Sequence, residues 1–599
     1  MNRTLVAALL ASVCLIPALA QTAQAQSWDF TPHYDLPRKA GPAREKTTAT
    51  VATLLSAPTP LRFNGMTSTD SRTLQTGFDS SRDFTIELWM LDHVNWPVGA
   101  VVSPAATSGG APWLLGYTDG QAAFGPAGAA MSKIPDYKDE WRHVVGVRQG
   151  DVWRLYSNGA LIATTTARLN RPAAAPLDLT TFLEAEPYMT LPDLVRGAAL
   201  YDRALSPAEV QAAFTARTTL VDEGRLNAET LHFTQPPYLN APTTQDIQLS
   251  WETDRPARFT VAWGETEAQM RSIEVPAAED GRLGGATLDG LKADTPYFYR
   301  VTASTDDGKT LDSGLLSFRS APLPGAPFVI AVSADTEARP FVNNRMSQLI
   351  WEERPNLLLL AGDLTDEGSI DRRYQWTHEY FVGMGGLFGR VPVIAAPGNG
   401  EGEQHWFRHY HRQPGEEGYF SHRYGDVEVF ILDSNLEDRE RRSPGFRARQ
   451  AAWLDQALAR STARWKIAMH HHDLFTSDDD DYGDSWRDRS TNGDQTMRRE
   501  LSSIYERHGV DLVIYGHLHA YERTWPMRQG AVDLQHGVTY LQVGGMGGNP
   551  EDFAPNKPAF SAKTARTHHY VMLRGAGDRI DVEMTDIEGR TRDRFALTK

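Results

Sequence analysis

The chain of 599 residues has a single cysteine, Cys14, which lies within the first twenty residues. Without that segment the chain has no disulfide framework, no zinc–thiolate site and no cysteine nucleophile. Net positive charge is lacking as well. The formal charge of −16 argues against nucleic acid or an anionic membrane surface as a partner. Beyond the first twenty residues no apolar run approaches membrane-spanning length, so no membrane span is expected.

The amino-terminal segment is typical of an export signal. It has a positively charged start, an apolar core over 5–20 and an A-x-A cleavage pattern that ends at Ala25. A lipoprotein would have a small residue before Cys14, and Val13 stands there instead. We therefore predict a signal peptide over residues 1–25 and a periplasmic or secreted protein.

Residues 55–220 are predicted to form short antiparallel strands. "FTIELWM" (84–90) and "WRHVVGVRQGDVWRLYSNGALIA" (141–163) alternate apolar with polar residues, and "QGD" and "NG" mark tight turns. The segment closes on "LYDRALSPAEVQAAF", in which Ser206 and Glu209 form a capping box. Together these phrases resemble the LamG-like, concanavalin-type jelly roll. The resemblance implies a module that binds a glycan or surface ligand, or one that serves as a spacer.

Two further units follow. Residues 233–320 alternate in "IQLSW" and "PYFYRVTA" as a small sandwich does, and they resemble a fibronectin type III module. Residues 326–599 carry continuous apolar runs between amphipathic stretches such as 447–460 and 496–509, which predicts a layered α/β domain with a mixed sheet. The expected fold class is therefore multidomain: an all-β jelly roll, an all-β fibronectin-like sandwich and a layered α/β domain.

Polar residues follow five buried runs of the third unit at the points where the strands are expected to end. These residues are Asp335, Asp363, Asn399, the histidines 470–472, and the pair His517 and His519. Open α/β sheets build their sites at the carboxyl ends of strands. Because the residue types are metal ligands and include no lysine or serine nucleophile, the pattern predicts a metal site. A pair of metal ions bridged by one carboxylate could activate water and bind phosphoryl oxygens.

The motifs "GDLTDEG", "GNGE", "MHHHDLF" and "GHLHAYER" resemble those of the calcineurin-like metallophosphoesterases, and most closely the purple acid phosphatase branch. The likeness covers roughly residues 233–599. It implies hydrolysis of phosphate mono- or diesters by a metal-bound hydroxide, with two divalent or trivalent ions of Fe, Zn or Mn. It also implies a ligand set in which Asp363 bridges the ions: Asp335, Asp363 and His519 for the first metal, and Asn399, His471 and His517 for the second.

The family pattern also distinguishes the three adjacent histidines. It has a metal-binding His, then Pro two residues later and an aromatic residue four residues later. Here Asp473 takes the place of Pro and Phe475 that of the aromatic residue, so the metal ligand is His471. On the opposite side of the strand, His470 is expected to be structural. His472 is expected either to support the ligands or to contact the substrate.

Two departures from the family pattern affect the first metal and the proton donor. The Tyr that gives purple phosphatases their colour is replaced by Asp366, and the His of non-purple relatives is replaced by Glu337. We favour Glu337 as the fourth ligand, with Asp366 as the alternative ligand or as a helix N-cap. The His that follows the Asn in the family, and helps to protonate the leaving group, is Gly400 here. His405 or His472 could act in its place.

The histidines after position 400 and an acidic run after the three adjacent histidines have simpler interpretations. The pattern of His405, His409 and His411 favours a polar helix surface over a catalytic role, and the acidic run "SDDDDYGD" (477–484) is typical of a solvated loop. A different class of function is also open, in which the chain is a surface- or glycan-binding protein with a degenerate phosphoesterase domain. The complete set of ligand-type residues favours the enzyme, and the missing acid favours the binding protein.

Overall fold

The structure is a computed structural model, and it describes the chain continuously from residue 231 except for four gaps. The gaps are 277–279, 416, 478–494 and 554–556. The described amino-terminal segments are 25–29, 48–50, 62–64, 72–74, 79–92, 99–104, 112–118, 121–126, 130–133, 140–170, 177–182 and 195–222. Residues 1–24 of the predicted signal peptide and residues 478–484 of the acidic run therefore lie outside the described residues.

In the described part of the amino-terminal unit, two antiparallel sheets have six strands each, in the orders β1-β14-β5-β10-β11-β12 and β4-β13-β6-β7-β8-β9, and β2 pairs separately with β3. The strands are β1 (Ala25–Asp29), β2 (Thr48–Thr50), β3 (Arg62–Asn64), β4 (Arg72–Leu74), β5 (Phe84–Asp92), β6 (Gly99–Pro104), β7 (Leu114–Thr118), β8 (Gln121–Gly125), β9 (Ala130–Lys133), β10 (Glu140–Gln149), β11 (Val152–Ser157), β12 (Ala160–Thr166), β13 (Leu177–Phe182) and β14 (Val195–Tyr201). The aromatic rings of Phe84, Trp113, Phe124 and Trp153 meet in the core of this unit. This is the expected jelly-roll-like sandwich.

Helix α1 (Pro207–Asp222) closes this unit. The Ser206 amide donates to Glu209 Oε2 over 2.8 Å, and the Glu209 amide donates to Ser206 Oγ over 3.3 Å. The predicted capping box is thus present. Because Val210 packs against Val145 and Val147, the helix covers the outer face of the first sheet.

The second unit is a small two-sheet sandwich. Its strands are β15 (Phe233–Asn240), β16 (Ile247–Thr253), β17 (Arg258–Gly264), β18 (Arg271–Val275), β19 (Leu283–Leu288), β20 (Pro296–Ser304), β21 (Thr310–Asp312) and β22 (Leu316–Arg319). Strands β17, β18, β20, β21 and β22 form one sheet, and β15, β16 and β19 belong to the other. The alternation in β20 places Tyr297, Tyr299 and Val301 in a core with Trp251 and Phe259. The fibronectin type III assignment remains a prediction.

The third unit contains two mixed sheets where the sequence predicted one. Its strands are β23 (Phe328–Ser333), β24 (Leu357–Leu360), β25 (Val393–Ala395), β26 (Phe420–Tyr424), β27 (Val427–Ile431), β28 (Trp465–Met469), β29 (Leu512–Tyr515), β30 (Tyr521–Thr524), β31 (Met527–Arg528), β32 (Ala531–Val532), β33 (Thr539–Val543), β34 (Ser561–Ala565), β35 (His569–Ala576), β36 (Arg579–Asp586) and β37 (Thr591–Thr598). The sheet orders are β19-β16-β15-β25-β24-β23-β35-β36-β37 and β26-β27-β28-β29-β33-β30-β34. The first sheet thus includes three strands of the second unit, which join it through a parallel pairing of Asn240 in β15 with Val393 in β25.

Helices cover the outer faces of the two sheets. They are α2 (Pro340–Glu352), α3 (Arg373–Gln375), α4 (Phe381–Phe388), α5 (His405–Tyr410), α6 (Leu436–Arg442), α7 (Phe446–Arg460) and α8 (Gln495–His508). One apolar core joins α2 and α4 to the first sheet, another lies between the sheets, and a third joins α7 and α8 to the second sheet. This order of layers explains why the strands are apolar on both faces. No helix in the described part of the chain is long and apolar enough to cross a membrane.

Candidate metal centre

The ligand-type residues follow neighbouring strands of the two facing sheets. In the first sheet, β23, β24 and β25 are parallel neighbours, and Asp335, Asp363 and Asn399 come just after them. In the second sheet, β28 and β29 are parallel neighbours followed by His471 and His517. Since parallel strands end at the same edge, the strand order itself brings these side chains together.

The backbone is strained at three of these positions. Asp335, Asp363 and His517 have φ angles of 58°, 44° and 76°, in the left-handed region that residues with a Cβ rarely adopt. Strain of this kind persists only where the surrounding structure imposes it, and it clusters at functional sites. The strained turns redirect the chain immediately after each strand.

The Nε2 atom of His471 is the meeting point of one group of side chains. It lies 3.1 Å from Asp363 Oδ2, 3.1 Å from Asn399 Oδ1 and 3.1 Å from His517 Nδ1. One ligand atom from each of Asp363, His471 and His517 falls within 4.8 Å of the other two. The Nδ1 atom of His471 is 2.9 Å from the carbonyl oxygen of Ala361, so Nδ1 must carry a proton and donate it.

The donor–acceptor balance of this group is unfavourable without a cation. A neutral His471 that donates from Nδ1 presents a lone pair at Nε2 to the carboxylate oxygen of Asp363 and the amide oxygen of Asn399. A protonated ring could satisfy only one of those two oxygens. Carboxylate, amide and imidazole atoms that converge in this way are suitable ligands for a divalent or trivalent metal ion. The residues therefore fit the metal that the sequence predicts.

A second group repeats this arrangement around His519. The Nδ1 atom of His519 is 3.1 Å from the carbonyl oxygen of Asn549, whereas Nε2 lies 3.2 Å from Glu337 Oε1 and 3.6 Å from Asp335 Oδ1. The Asp335 carboxylate also accepts the His517 amide at 3.0 Å and 3.1 Å through its two oxygens. The carboxylate of Glu337, which is new relative to the family pattern, therefore faces the same nitrogen as Asp335.

The carboxylates lie close enough to influence one another. Burial raises the pKa of Asp335 and of Glu337, and the Asp363 charge raises both further. Burial also acts on Asp363, but the charge and hydrogen bond of His471 lower the pKa of that carboxyl. Burial alone would lower the pKa of His471, but the negative charge of Asp363 raises that pKa to about 9. A cation between these groups would replace the proton that the pair otherwise shares.

Asp366 also belongs to this neighbourhood. Its charge adds to the burial that raises the pKa of Glu337, so the two carboxylates are near neighbours. The alternative of a helix N-cap is wrong, because Ser369 occupies the N-cap position of the short 3₁₀ helix Ile370–Arg372. Of the two carboxylates, Glu337 is the one whose Oε1 lies 3.2 Å from His519 Nε2.

The remaining predicted histidines occupy different environments. His470 is fully buried and its ring stacks on Tyr505 and Tyr515, whereas His472 is half-buried and its ring centre lies 4.6 Å from that of His517. His405 is exposed at the start of α5. The polar-surface interpretation of the α5 histidines is wrong for His411, which is buried with its Nε2 3.0 Å from the Tyr380 hydroxyl.

Three residues beside the ligands are absent from the predicted site. Buried Glu401 accepts the Leu364 amide at 2.6 Å and so connects the loops that carry Asp363 and Asn399. Glu551 accepts the His519 amide at 3.0 Å. Ser434 accepts the amides of both His471 and His472. Ser434 had a detectable signal, because "VFILDSN" is a sixth apolar run that ends in polar residues.

Gly400 has a structural reason to lack a side chain. Its amide donates to Asp363 Oδ1 over 2.7 Å, and its carbonyl accepts the Gly368 amide over 2.6 Å. A Cβ at this position would collide with the backbone carbonyl oxygen of Thr365. In this loop, where the family has a histidine, there is therefore no room for a side chain at residue 400.

Comparison with known proteins agrees with this geometry. Residues 328–521 match the family model described as calcineurin-like phosphoesterase, and residues 65–211 match the concanavalin A-like lectin/glucanases superfamily. The chain is similar to purple acid phosphatase 15 of Arabidopsis thaliana, with 26% identity over 46% of this chain and 55% of the relative. It is also 24% identical to "Probable inactive purple acid phosphatase 27" of the same plant, over 49% of this chain and 54% of the relative.

These alignments span just over half the length of the two curated relatives. The fold comparison extends further. Purple acid phosphatase PPD1 from yellow lupin (Lupinus luteus) seeds superposes with a TM-score of 0.54, covering 87% of this chain and 94% of that one at 16% identity. At that identity the likeness establishes the fold.

Proposed function

We infer that this chain, which carries a calcineurin-like metallophosphoesterase domain, hydrolyses phosphate esters with the help of two metal ions. The observation that carries the proposal is the convergence of lone pairs on His471 Nε2 and again on His519 Nε2. The proposed ligands are Asp335, Glu337, Asp363 and His519 for one ion, and Asp363, Asn399, His471 and His517 for the other. Iron, zinc or manganese suits such mixed oxygen and nitrogen ligands.

The protein would contribute the orientation of the ligands. When bound, the ions supply Lewis acidity toward phosphoryl oxygens and acidify water. The carbonyl oxygens of Ala361 and Asn549 fix the ring orientations of His471 and His519. The Gly400 amide fixes the Asp363 carboxylate through Oδ1 and leaves Oδ2 directed toward His471. The ligands are thus held in place before a substrate arrives.

Protonation of the leaving group is the weakest part of this site. Gly400 cannot carry the usual histidine, and the candidates to replace it are His472 and exposed His405. We propose that esters with good leaving groups, such as nitrophenyl phosphates, are hydrolysed well and alkyl phosphates poorly. Gly400→His is expected to displace the Asp363 loop and not to restore an acid, because of the collision with Thr365.

Rates over a series of aryl and alkyl phosphate mono- and diesters test this proposal. We expect the logarithm of the rate to fall steeply as the pKa of the leaving group rises. A flat series would show that an efficient proton donor is present. Parallel series for His472→Ala and His405→Ala would then identify that donor, since its removal should make the dependence steep.

Export and the role of the jelly roll are further proposals. The amino-terminal sequence pattern supports secretion or a periplasmic location. The concanavalin-like match supports a glycan or surface ligand for the jelly roll, which would hold the phosphoesterase near its substrate.

The alternative is a binding protein whose phosphoesterase domain is inactive. The missing histidine at position 400 and the relative named as inactive favour it. Metal analysis of the purified protein, followed by nitrophenyl phosphate and bis(nitrophenyl) phosphate assays, separates the two. About two metal ions per chain with turnover supports the enzyme, whereas a metal-loaded protein without turnover on either ester supports the binding protein.

A further inference from the structure

Ser434 lies at the carboxyl end of the strand next to the one that carries the three histidines. Strands β27 and β28 are parallel, and Ile431 pairs with Met469. The chain then continues through Leu432 and Asp433 to Ser434, which is buried beside the histidines. Strand pairing therefore fixes the position of this hydroxyl relative to His471 and His472.

Three polar hydrogen-bonding groups surround the Ser434 hydroxyl oxygen. The His471 amide donates to it over 3.2 Å and the His472 amide over 3.0 Å. The third neighbour is His472 Nδ1, at 2.8 Å. A hydroxyl oxygen has two lone pairs and one proton, and the two amides use both lone pairs. The proton of Ser434 must therefore be donated to His472 Nδ1.

This arrangement fixes the tautomer of His472. Because Nδ1 accepts a hydrogen bond, the proton of the neutral ring is on Nε2. The ring thus has no free lone pair for a metal ion, and its free polar group is an N–H donor. Its centre lies 5.1 Å from that of His471 and 4.6 Å from that of His517, and it is half-buried where His470 and His471 are fully buried.

We propose that Ser434 is a positioning residue that holds His472 as the Nε2–H tautomer, so that His472 donates a hydrogen bond to a phosphoryl oxygen of the substrate. The proposal rests on the proposed phosphoesterase function of the same site. It assigns different roles to adjacent residues, since His471 offers a lone pair to a metal and His472 offers a proton donor to an anion. Hydrogen bonds from a fixed donor to a charged phosphoryl oxygen are among the stronger ones in proteins.

The tautomer can be measured independently of hydrolysis. Nitrogen-15 NMR of the histidine rings, in protein loaded with diamagnetic Zn²⁺ or left without added metal, distinguishes protonated from unprotonated ring nitrogens. The chain has 18 histidines, so the His472 signals are assigned from their absence in His472→Gln. We expect an unprotonated Nδ1 and a protonated Nε2 in the wild type and in Ser434→Thr, and a mixture in Ser434→Ala. A protonated Nδ1 in the wild type would overturn the proposal.

Binding of inorganic phosphate to the metal-loaded protein tests the donor role. We expect about tenfold weaker binding in Ser434→Ala and in His472→Ala, with unchanged metal content and near-normal affinity in Ser434→Thr. His472→Gln should recover part of the affinity, because its side-chain amide can place an N–H near the same position. Unchanged affinity in His472→Ala would contradict the substrate contact.

Two other outcomes would also count against the inference and have separate signatures. If Ser434→Ala loses metal in proportion to phosphate affinity, Ser434 supports the ligand His471 and not His472. If the wild type binds neither metal nor phosphate, the proposed function fails, and the substrate contact fails with it. The ring-nitrogen spectrum still reports whether Ser434 sets the tautomer.

Discussion

Two buried histidine–carboxylate groups, one in the jelly roll and one in the phosphoesterase domain, differ in whether each carboxylate oxygen meets a proton donor. In the jelly roll, His143 Nε2 lies 3.1 Å from Glu87 Oε1, and the Tyr201 hydroxyl donates to Glu87 Oε2 over 2.7 Å. The rings of Trp89 and Phe214 pack on the imidazole. Each oxygen of Glu87 therefore meets a proton donor.

In the phosphoesterase domain the lone pairs outnumber the protons. His471 Nε2 faces two oxygens that can only accept, and His519 Nε2 faces two carboxylates. Burial and a nearby carboxylate are thus common to a structural pair and to a candidate metal site. What distinguishes the candidate metal site is an excess of acceptors around the nitrogen, together with strained backbone at Asp335, Asp363 and His517.

The largest difference between the two groups should appear on removal of their carboxylates. We expect Asp363→Ala to lower phosphoesterase turnover by at least about a thousandfold and to reduce the bound metal from about two ions toward none, because Asp363 is the proposed bridge. Glu87→Ala is the matched control and should keep both metal and turnover per folded molecule. Metal analysis and steady-state assays of both variants measure this. Full activity in Asp363→Ala would remove the basis of the proposed site.

Removal of metal should destabilise only one of the two regions. At a free metal concentration a thousandfold above Kd, binding stabilises the folded state by about 4 kcal/mol. A chelator should therefore lower the melting temperature of the phosphoesterase transition and leave that of the jelly roll unchanged, as followed by scanning calorimetry. Equal shifts of both transitions, or none after verified metal loss, would contradict the comparison.

Loss of the jelly-roll carboxylate should affect stability instead. Glu87→Ala leaves buried His143 and Tyr201 without their acceptor, which is expected to cost about 2–3 kcal/mol of unfolding free energy. Denaturant unfolding followed through the tryptophans measures this loss, and Glu209→Ala at the exposed capping box is a milder comparison at about 1 kcal/mol. A smaller cost for Glu87→Ala than for Glu209→Ala would show that the buried group contributes little.

The two regions should differ last in the pH dependence of stability, where the expected effect is a change of slope. Burial lowers the pKa of His143 to about 3, whereas an unfolded histidine titrates near its ordinary value of about 6.5. Between these values the unfolded state binds one proton that the folded state does not, so stability falls as the pH falls from 6.5 toward 3. His143→Gln should reduce that slope by up to about 1.4 kcal/mol per pH unit. Unfolding free energies at pH 7, 5 and 4 test the change, and an unaltered slope would indicate that His143 is protonated in the folded protein.

The sequence was informative where local patterns determine structure. Asp335, Asp363 and Asn399 follow short apolar strands, and the structure brings these predicted side chains together with His471, His517 and His519. Other features depend on tertiary contacts that no local pattern encodes. Glu551 reaches the His519 amide from 32 residues further along the chain.

The number of sheets and the burial of His411 could not be predicted for the same reason. Division of the strands between two sheets depends on which strands pair, and their apolar composition is the same in either arrangement. His411 is buried because the chain leaves α5 toward Tyr380. Ser434 differs from these cases, since it follows an apolar run in the same way as the residues at the five predicted strand ends.

The parallel pairing of Asn240 with Val393 has a consequence for how the molecule can be divided. The second unit supplies the strand beside β25, and it is further held by the Tyr238 hydroxyl on the Tyr410 carbonyl and the Tyr299 hydroxyl on the Gly389 carbonyl. A fragment cut between the second and third units, after residue 320, would leave β25, which leads to Asn399, as an unprotected sheet edge. Such edges recruit strands from other molecules and promote aggregation. We therefore expect the smallest autonomous phosphoesterase unit of this chain to include the second unit, and recombination that exchanges phosphoesterase domains to carry both units as one piece.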